Sequence, residues 1–392
     1  MKKLISSFIV LLLFVGFSVH ASEKDDLFIQ VDLEGASPDE CSIMKVKADG
    51  SISEFVSASQ IFSATGLATC NFGDTGLAVG NHGKVYFSED ESDNILVADP
   101  NGQTRTFVTD TVVNMLFPNT VDWDNGMDVN PVTGTLVAAD EDNEAIVEFP
   151  TDVAIPIQDP ALINILAVEA DFLALVTTVD LEGGIAVDNQ ENIYIANDGS
   201  GAIDDVIFKL TPQGNLSILC TQAQLIAGGA GPSVDLDVGM AFDGNLFVAD
   251  DGDCDCILEI DPVTCDPQIL ITEAQIEAIT GGNADLEGGV CIDTNMNLFI
   301  GDDGDSPDAP NIIKVPVANP VIASLFVSEA EIDALYDIIS PGGDPQLEGS
   351  CDVKRIDTPN PVPTISEWGM IATALGLGII GFIMARRRMV KA

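Results

Sequence analysis

The sequence predicts an all-β fold, a six-bladed β-propeller, from three observations. An acid followed by glycine and a short apolar run recurs along the chain, with the aligned position at residues 76, 126, 184, 239, 289 and 350. The steps between these positions are 50, 58, 55, 50 and 61 residues, a period typical of repeat architectures. Each unit holds four short apolar segments separated by turn residues, which is the pattern of a propeller blade.

The unit that begins at Gly239 shows the four strands most clearly. Residues 239–242 are predicted as strand a, 246–249 as strand b, 257–260 as strand c and 268–271 as strand d. Five complete units of this kind begin at positions 76, 126, 184, 239 and 289.

The two ends of the repeat region complete a sixth unit. Residues 27–56 supply strands b, c and d, and residues 347–356 supply strand a. The chain ends are therefore predicted to close the ring together, which removes exposed sheet edges. Short helices are expected after strand d in four units, where Ser57, Thr221, Thr272 and Ser328 suit the N-cap position.

Composition limits the partners that this protein can have. The 392 residues include 63 Asp and Glu against 15 Lys and Arg, for a net charge of −48, and 46% of them are hydrophobic. The apolar share supports a large core, and the charge repels nucleic acid and anionic lipid while it attracts cations. Acidity that serves only solubility remains an alternative. With only two histidines, His20 and His82, histidine-based zinc or triad chemistry has little support.

Both termini carry targeting signals. Residues 1–21 have a basic start, an apolar segment and a small residue at the expected cleavage site, as in a secretory signal peptide, with an uncleaved anchor as the alternative. Residues 22–356 then form the propeller and residues 357–361 a linker. Residues 370–385 are apolar, and three arginines follow at 386–388. A transmembrane helix is predicted there, with its basic end in the cytoplasm and the propeller outside.

A short motif precedes the apolar segment, formed by Val362, Pro363, Thr364, Ile365, Trp368 and Gly369. Motif, helix and basic stop resemble the IPTL-type C-terminal sorting signal of Gram-negative bacteria. The resemblance implies a partner, an exosortase-like membrane peptidase that cuts near the motif. It also implies delivery to the cell envelope or outer surface, or secretion after C-terminal processing. A plain C-terminal anchor is the alternative.

Two sets of acids are expected on one face of the propeller, because strand a starts where strand b ends. The first set precedes strand a and is predicted to ring the mouth of the central channel: Asp74, Asp124, Glu182, Asp237, Glu287 and Glu348. The second set follows strand b and forms the acidic loop face: Asp32, Asp90, Asp140, Asp198, Asp251 and Asp303. Crowded carboxylates repel unless a cation neutralises them, and oxygen ligands without histidine favour Ca²⁺. The alternative is that the acids cap turns and bond neighbouring blades.

The repeat pattern resembles the NHL and SMP-30/gluconolactonase group of six-bladed propellers. Asn125-Gly126-Met127 is similar to the Asn-Gly-Leu strand starts of that group. In its lactonases an acid, an asparagine and an aspartate hold one metal in the channel mouth. The resemblance implies Glu182 or Glu287, Asn125 and Asp237 for these roles, although the proline that follows Glu-Gly in the family is absent here.

Eight cysteines, an even number in an exported chain, indicate disulfides. Cys41 with Cys70, and Cys220 with Cys254 or Cys256, are expected to share a face, whereas Cys265 is a poor partner for Cys256. Taken together, the sequence predicts an exported calcium-dependent binding module for a small-molecule or surface ligand. The alternatives are a metal-dependent hydrolase of the lactonase type and a structural matrix component.

Overall fold

Six antiparallel sheets account for the strands of the part of the chain that the computed structural model describes, residues 25–34, 40–72, 76–123, 126–199, 204–236, 239–303, 310–340, 344–347 and 351–353. The strands of the first half are β1 (Leu27–Glu34), β2 (Glu40–Val46), β3 (Ile52–Val56), β4 (Leu77–Val79), β5 (Val85–Glu89), β6 (Asn94–Ala98), β7 (Thr104–Val108), β8 (Met127–Val129), β9 (Leu136–Asp140), β10 (Ala145–Phe149), β11 (Asn164–Ala167) and β12 (Ile185–Val187). Those of the second half are β13 (Ile193–Asp198), β14 (Asp205–Leu210), β15 (Leu216–Cys220), β16 (Met240–Asp243), β17 (Asn245–Asp250), β18 (Cys256–Ile260), β19 (Pro267–Ile271), β20 (Val290–Ile292), β21 (Asn297–Asp302), β22 (Asn311–Pro316), β23 (Ser324–Val327), β24 (Asp344–Gln346) and β25 (Cys351–Val353).

Five of the sheets are four-stranded meanders. We number these blades 1 to 5, and they consist of β4–β7, β8–β11, β12–β15, β16–β19 and β20–β23. Blade 6 joins the two chain ends: β1, β2 and β3 pair in order, and β24 and β25 both pair with β1. The strand a predicted within residues 347–356 is β25, which contacts the inner strands of both neighbouring blades; β24, at residues 344–346, is a further strand that the sequence analysis did not predict.

The blades stand in a closed ring around an axis. Each inner strand contacts the inner strand of the next blade, in the cyclic order β4, β8, β12, β16, β20, β25 and back to β4. Six clusters of buried apolar side chains fill the seams, one between each pair of adjacent blades. The apolar side chains on the two faces of each blade thus pack into the two seams that flank it. The closed ring of six blades confirms the predicted β-propeller.

The recurring glycine follows from the close approach of the inner strands. A Cβ on Gly126 would lie 2.2 Å from the backbone nitrogen of Ile185, and a Cβ on Gly184 would lie 2.3 Å from the backbone nitrogen of Met240. Neither neighbour is a flexible side chain that could move aside. The organising repeat of the sequence is therefore a packing requirement of the ring.

A helix or single helical turn follows strand d in every blade: α1 (Ala58–Thr65), α2 (Asp110–Val113), α3 (Glu169–Phe172), α4 (Gln222–Leu225), α5 (Glu273–Thr280) and α6 (Glu329–Ile339). Shorter 3-10 turns lie at Asn81–Gly83, Asp90–Ser92, Pro160–Leu162 and Pro320–Ile322, with a π turn at Ile226–Ala230. The four predicted N-caps are confirmed. At α6, for example, the backbone N–H of Ser328 donates to Oε2 of Glu331 at 3.0 Å. The single turns α2 and α3 had no clear sequence signal.

All eight cysteines are in disulfides, namely Cys41–Cys70, Cys220–Cys265, Cys254–Cys256 and Cys291–Cys351. The expected proximity of Cys41 and Cys70 is confirmed. Cys220 is bonded to Cys265, so neither Cys254 nor Cys256, which were expected on its face, is its partner. Because each strand of a sheet is rotated relative to its neighbour, the outer strands no longer run along the axis, and the ends of outer strands cannot be assigned to one of two faces from the sequence alone.

The predicted signal peptide, linker, sorting motif and C-terminal helix lie outside the described residues. Among the residues that are described, no helix is long and apolar enough to cross a membrane.

Candidate functional site

The start of strand a and the end of strand b lie together in each complete blade. A backbone N–H just after strand b donates to a backbone carbonyl that precedes strand a: Asp90 to Asn71 at 3.2 Å, Glu141 to Asp122 at 3.1 Å, Asp198 to Asp180 at 3.0 Å, Asp251 to Asp235 at 3.2 Å, and Asp303 to Asp285 at 2.8 Å. The acids of these two segments therefore share one face of the ring, as the sequence predicted for the described residues.

A polar side chain at the end of strand b, or one residue before it in blade 3, is a buried hydrogen-bond acceptor. It accepts from the backbone N–H of the same upstream residue in five blades, through Glu89 (3.4 Å), Asp140 (3.3 Å), Asn197 (3.0 Å), Asp250 (3.0 Å) and Asp302 (2.9 Å). Each of these side chains belongs to a residue that is at least nine-tenths buried. Asp140 of the predicted acidic loop face is one of them, so its carboxyl group joins strands within blade 2.

Other acids of the loop face join one blade to the next. Asp32 accepts from the backbone N–H of Phe72 at 3.1 Å. Asp251 accepts from Leu286 at 3.4 Å, and Asp303 accepts from Leu347 at 2.7 Å. These three members of the predicted set thus bond neighbouring blades, which was the alternative considered for them.

Carboxylates that remain on this face gather in two adjacent seams. Between blades 1 and 2, Asp90, Asp93 and Asp122 each place one carboxylate oxygen within 4.8 Å of the others. Between blades 2 and 3, Glu141, Asp180 and Glu182 do the same. We call these the seam 1/2 cluster and the seam 2/3 cluster, and all six residues are half-buried.

Burial and the repulsion between neighbouring carboxylates raise the pKa of four acids in and beside these clusters. In the seam 2/3 cluster, burial and then the carboxylate of Glu182 raise the pKa of Glu141 to about 7 and that of Asp180 to about 6. Glu144, whose Oε2 accepts from the backbone N–H of Leu181 at 3.1 Å, has its pKa raised to about 8 by burial and then by Asp180. In the seam 1/2 cluster, burial and then Asp122 raise the pKa of Asp93 to about 7.

The same crowding extends to the next two seams. Burial, followed by the carboxylate of Asp235, raises the pKa of Asp198 to about 7 and that of Asp205 to about 6. Burial and then Asp251 raise the pKa of Asp255 to about 7. Asp93, Glu144 and Asp255 share a left-handed backbone, with φ of 49°, 45° and 38°. The tight turn after strand b thus aims one acid into each of these seams.

Only part of the predicted metal ring falls on described residues. Glu182 belongs to the seam 2/3 cluster, and Glu287 is exposed. Asp74, Asp124, Asn125, Asp237 and Glu348 lie outside the described residues. The sequence analysis did not single out Glu141, Asp180, Asp93 or Asp122. A signal for the upstream aspartates was present, because Asp-x-acid precedes the repeat glycine in four units, at 122, 180, 235 and 285.

The centre of the ring is narrow where the structure describes it. The cavity on the axis has a volume of about 20 Å³ and is bordered by inner-strand residues such as Leu77, Gly126, Gly184, Met240 and Val290. That volume accommodates about one water molecule. This cavity between the inner strands therefore holds no more than a water molecule.

Comparisons with known proteins agree with this fold. A family model described as the IPTL-CTERM motif matches residues 360–388, and no curated protein sequence matches the chain. A chain of the nidogen/laminin complex has a TM-score of 0.52 and 13% identity, over 84% of this chain and 99% of that one. For virginiamycin B lyase from Staphylococcus aureus the TM-score is 0.43 and the identity 13%, over 78% and 86%. A gluconolactonase from Xanthomonas campestris has a TM-score of 0.41 and 12% identity, over 75% of this chain and 84% of that one.

Fold and tail together define the class of protein. Of these three structures the nidogen/laminin chain alone has a TM-score above 0.5, and at 13% identity it supports the overall fold and nothing further. The chain carries an IPTL-CTERM motif, which marks an exported, surface-sorted protein. Its disulfides fit an extracellular location.

Proposed function

We propose that this protein is an exported, calcium-dependent binding module whose cation sites are the seam 1/2 and seam 2/3 clusters. The observation that carries the proposal is the recurrence of three crowded carboxylates in two adjacent seams, in which Asp90 and Asp122 of the first cluster are equivalent to Glu141 and Asp180 of the second. Protons relieve this crowding at low pH, and at neutral pH a bound cation relieves it more completely.

The ligand chemistry selects the ion. Both clusters offer carboxylate oxygens, and the chain has only two histidines. Hard oxygen ligands in a flexible set of three or more favour Ca²⁺, whereas Mg²⁺ demands a stricter octahedron. A third group, Asp250 with Cys254 and Cys256, is unsuited to a metal because its two sulfurs are bonded to each other.

A calcium ion in a seam also binds two blades together. Asp90 and Asp93 come from blade 1 and Asp122 from the segment that enters blade 2. A cation shared by them stabilises the ring and presents its remaining coordination positions to solvent. Such positions accept oxygen atoms from an anionic or hydroxylated ligand, either a small molecule or a surface polymer.

The alternative is a metal-dependent hydrolase of the lactonase type. That activity needs a metal with a vacant position beside a substrate-sized cavity. The axial cavity that the inner strands enclose has a volume of only about 20 Å³. Turnover of simple lactones with added Ca²⁺ or Zn²⁺ separates the two functions.

The tail supplies the route to the surface. We propose that residues 1–21 direct export, that residues 370–385 hold the chain in the membrane, and that an exosortase-like peptidase of a Gram-negative cell cuts near residues 362–369. The propeller then acts in the envelope, at the outer surface, or free in the medium.

Calcium titration of the full-length protein in detergent tests the binding proposal. After treatment with EGTA, Ca²⁺ at 100 times its Kd is expected to stabilise the fold by about 2.7 kcal/mol per site. The double variant Asp180→Asn, Glu182→Gln removes two ligands of the seam 2/3 cluster and should lose one site in isothermal titration. Asp243→Asn, an exposed acid in the turn between β16 and β17, is the matched control and should bind as the wild type. The proposal would be ruled out if Ca²⁺ produced no heat of binding in the titration and no change in the melting temperature.

A further inference from the structure

A disulfide and a buried acid meet at the end of strand b in blade 4. Cys254 and Cys256 are bonded to each other with one residue between them. Cys256 is fully buried at the start of β18, whereas Cys254 is partly exposed in the preceding loop. Asp250, the last residue of β17, lies directly opposite Cys256 in the ladder. One carboxylate oxygen of Asp250 and both sulfur atoms lie within 4.8 Å of one another.

Only one of the two side-chain oxygens of Asp250 accepts hydrogen bonds. Asp250 is 0% exposed, and its Oδ1 accepts from the backbone N–H groups of Asp235 at 3.0 Å and Gly252 at 3.2 Å. Its Oδ2 is buried without a hydrogen-bond partner. An acceptor buried in this way is costly when it is ionised, so the protonated form of the carboxyl group is favoured.

The equivalent residues in other blades show that the fold does not require this arrangement. In blade 2, Asn143 donates to both oxygens of Asp140, at 3.2 and 3.0 Å. In blade 3 the position is taken by Asn197, whose Oδ1 accepts the same backbone bond and whose Nδ2 donates to the carbonyl of Asp204 at 2.7 Å. An amide therefore fits this position in blade 3, whereas an acid occupies it in blades 1, 2, 4 and 5. The acid of blade 4 differs from the other three in lying beside a disulfide that is partly exposed.

We propose that Cys254–Cys256 is a thiol–disulfide exchange site in which Asp250 exchanges the proton with Cys256. The other reactant is a thiol or dithiol in its thiolate form, which attacks the sulfur of Cys254, the partly exposed member of the pair. The Cys254–Cys256 bond breaks as a bond forms between Cys254 and the incoming sulfur. The leaving Cys256 thiolate takes the proton of the Asp250 carboxyl group, directly or through one water molecule.

The second half of the exchange runs through the same atoms. If the incoming molecule carries a second thiol, that group attacks its own sulfur in the mixed disulfide, and Cys254 leaves as a thiolate. The products are an oxidised disulfide in the partner and a dithiol in the protein. In reverse, the Asp250 carboxylate removes the proton from Cys256, which attacks the mixed disulfide and restores the original bond. Two electrons pass between the dithiol and the disulfide in either direction.

The surroundings of the site support this role for Asp250. They also predict which thiols react fastest with the disulfide. Burial raises the pKa of Asp250 to about 7, and the carboxylates of Asp235 and Asp251, which face it, add to the effect. The group therefore holds and releases a proton near neutral pH. Asp253 and Asp255 flank Cys254 in the chain. An anionic thiol is repelled by these charges, so neutral and cationic thiols are the expected reactants.

Reduction kinetics of the full-length protein in detergent test the proposal. The probes are cysteamine, dithiothreitol and 3-mercaptopropionate, with alkylation and mass spectrometry to follow each cysteine. Cys254 and Cys256 should be reduced before the other three disulfides, whose sulfurs are at least nine-tenths buried. Cysteamine should react faster than 3-mercaptopropionate, and the difference should shrink in high salt.

Variants separate proton transfer from simple exposure. Asp250→Asn, the residue that blade 3 tolerates, should slow exchange at pH 7 about tenfold and flatten its pH profile. Asp253→Asn removes an equal charge beside Cys254 and should leave the profile unchanged. Cys256→Ser should trap a mixed disulfide on Cys254, while Cys254→Ser should leave Cys256 unreactive. An Asp250→Asn protein with the rate and profile of the wild type overturns the proposal, as does reduction of another disulfide first.

Discussion

The crowded acids predict that the calcium-free protein loses stability as pH rises toward neutrality. Burial raises the pKa of Asp140 from 3.8 to about 7 in the folded state. A raised pKa means that the folded protein keeps a proton that the unfolded chain has already released. The contribution to stability is therefore complete below about pH 4 and is lost as pH rises through 7. This is opposite to the usual behaviour of a paired carboxylate, which stabilises the fold at high pH.

Asp140 gives the cleanest magnitude because it is 0% exposed. Between pH 5 and pH 7, linkage with the two pKa values gives a loss of about 2 kcal/mol in the free energy of unfolding for this one group. Glu141, Glu144 and Asp180 change in the same direction, but they are half-buried, so solvent screening makes each contribution smaller.

Urea denaturation in EGTA at pH 5, 6 and 7 measures this loss. Asp140→Asn, which imitates Asn197 of blade 3, should flatten the dependence by about 2 kcal/mol over that range. Asp152→Asn, an exposed acid of the same blade, should leave the slope unchanged. Stability that increases from pH 5 to pH 7 in the wild type, or an equal slope in the Asp140→Asn protein, would refute the reasoning.

Three further predictions concern the ring. Gly184→Ala places a Cβ 2.3 Å from a backbone nitrogen of blade 4 and should cost about 3 kcal/mol, measured by thermal melting, whereas Gly214→Ala meets no atom within 4 Å and should cost about 1 kcal/mol for its left-handed backbone. Replacing Cys291 and Cys351 by serine opens a bridge across 60 residues, which joins blade 5 to the closing strand, and should lower the free energy of unfolding by about 2–4 kcal/mol. Asp303→Ala leaves the buried backbone N–H of Leu347 without its acceptor and should speed proteolysis of the C-terminal strands, with a cost of about 1–3 kcal/mol. An Asp303→Ala protein as resistant as the wild type, or equal melting temperatures for the two glycine variants, would contradict these assignments.

The sequence was sufficient for the number of blades and the closure of the ring. The repeat of acid, glycine and apolar strand recurs because every blade packs against its neighbours in the same way. Gly126 and Gly184 lie where the inner strands of adjacent blades approach too closely for a side chain. Helix starts such as Ser57 and Ser328 were visible because capping is a local interaction between residues three apart.

Tertiary structure alone decided which acids act together. Asp180 and Glu182 are neighbours in the sequence, but Glu141 joins them only because blade 2 ends strand b where blade 3 begins strand a. The same holds for the bond from Asp303 to Leu347 and for the pairing of Cys220 with Cys265. Periodicity reports which face of its own sheet a residue occupies. Which residues meet between two blades depends on sheet twist and on packing between segments far apart in the chain. The periodicity of a single strand contains no information about either.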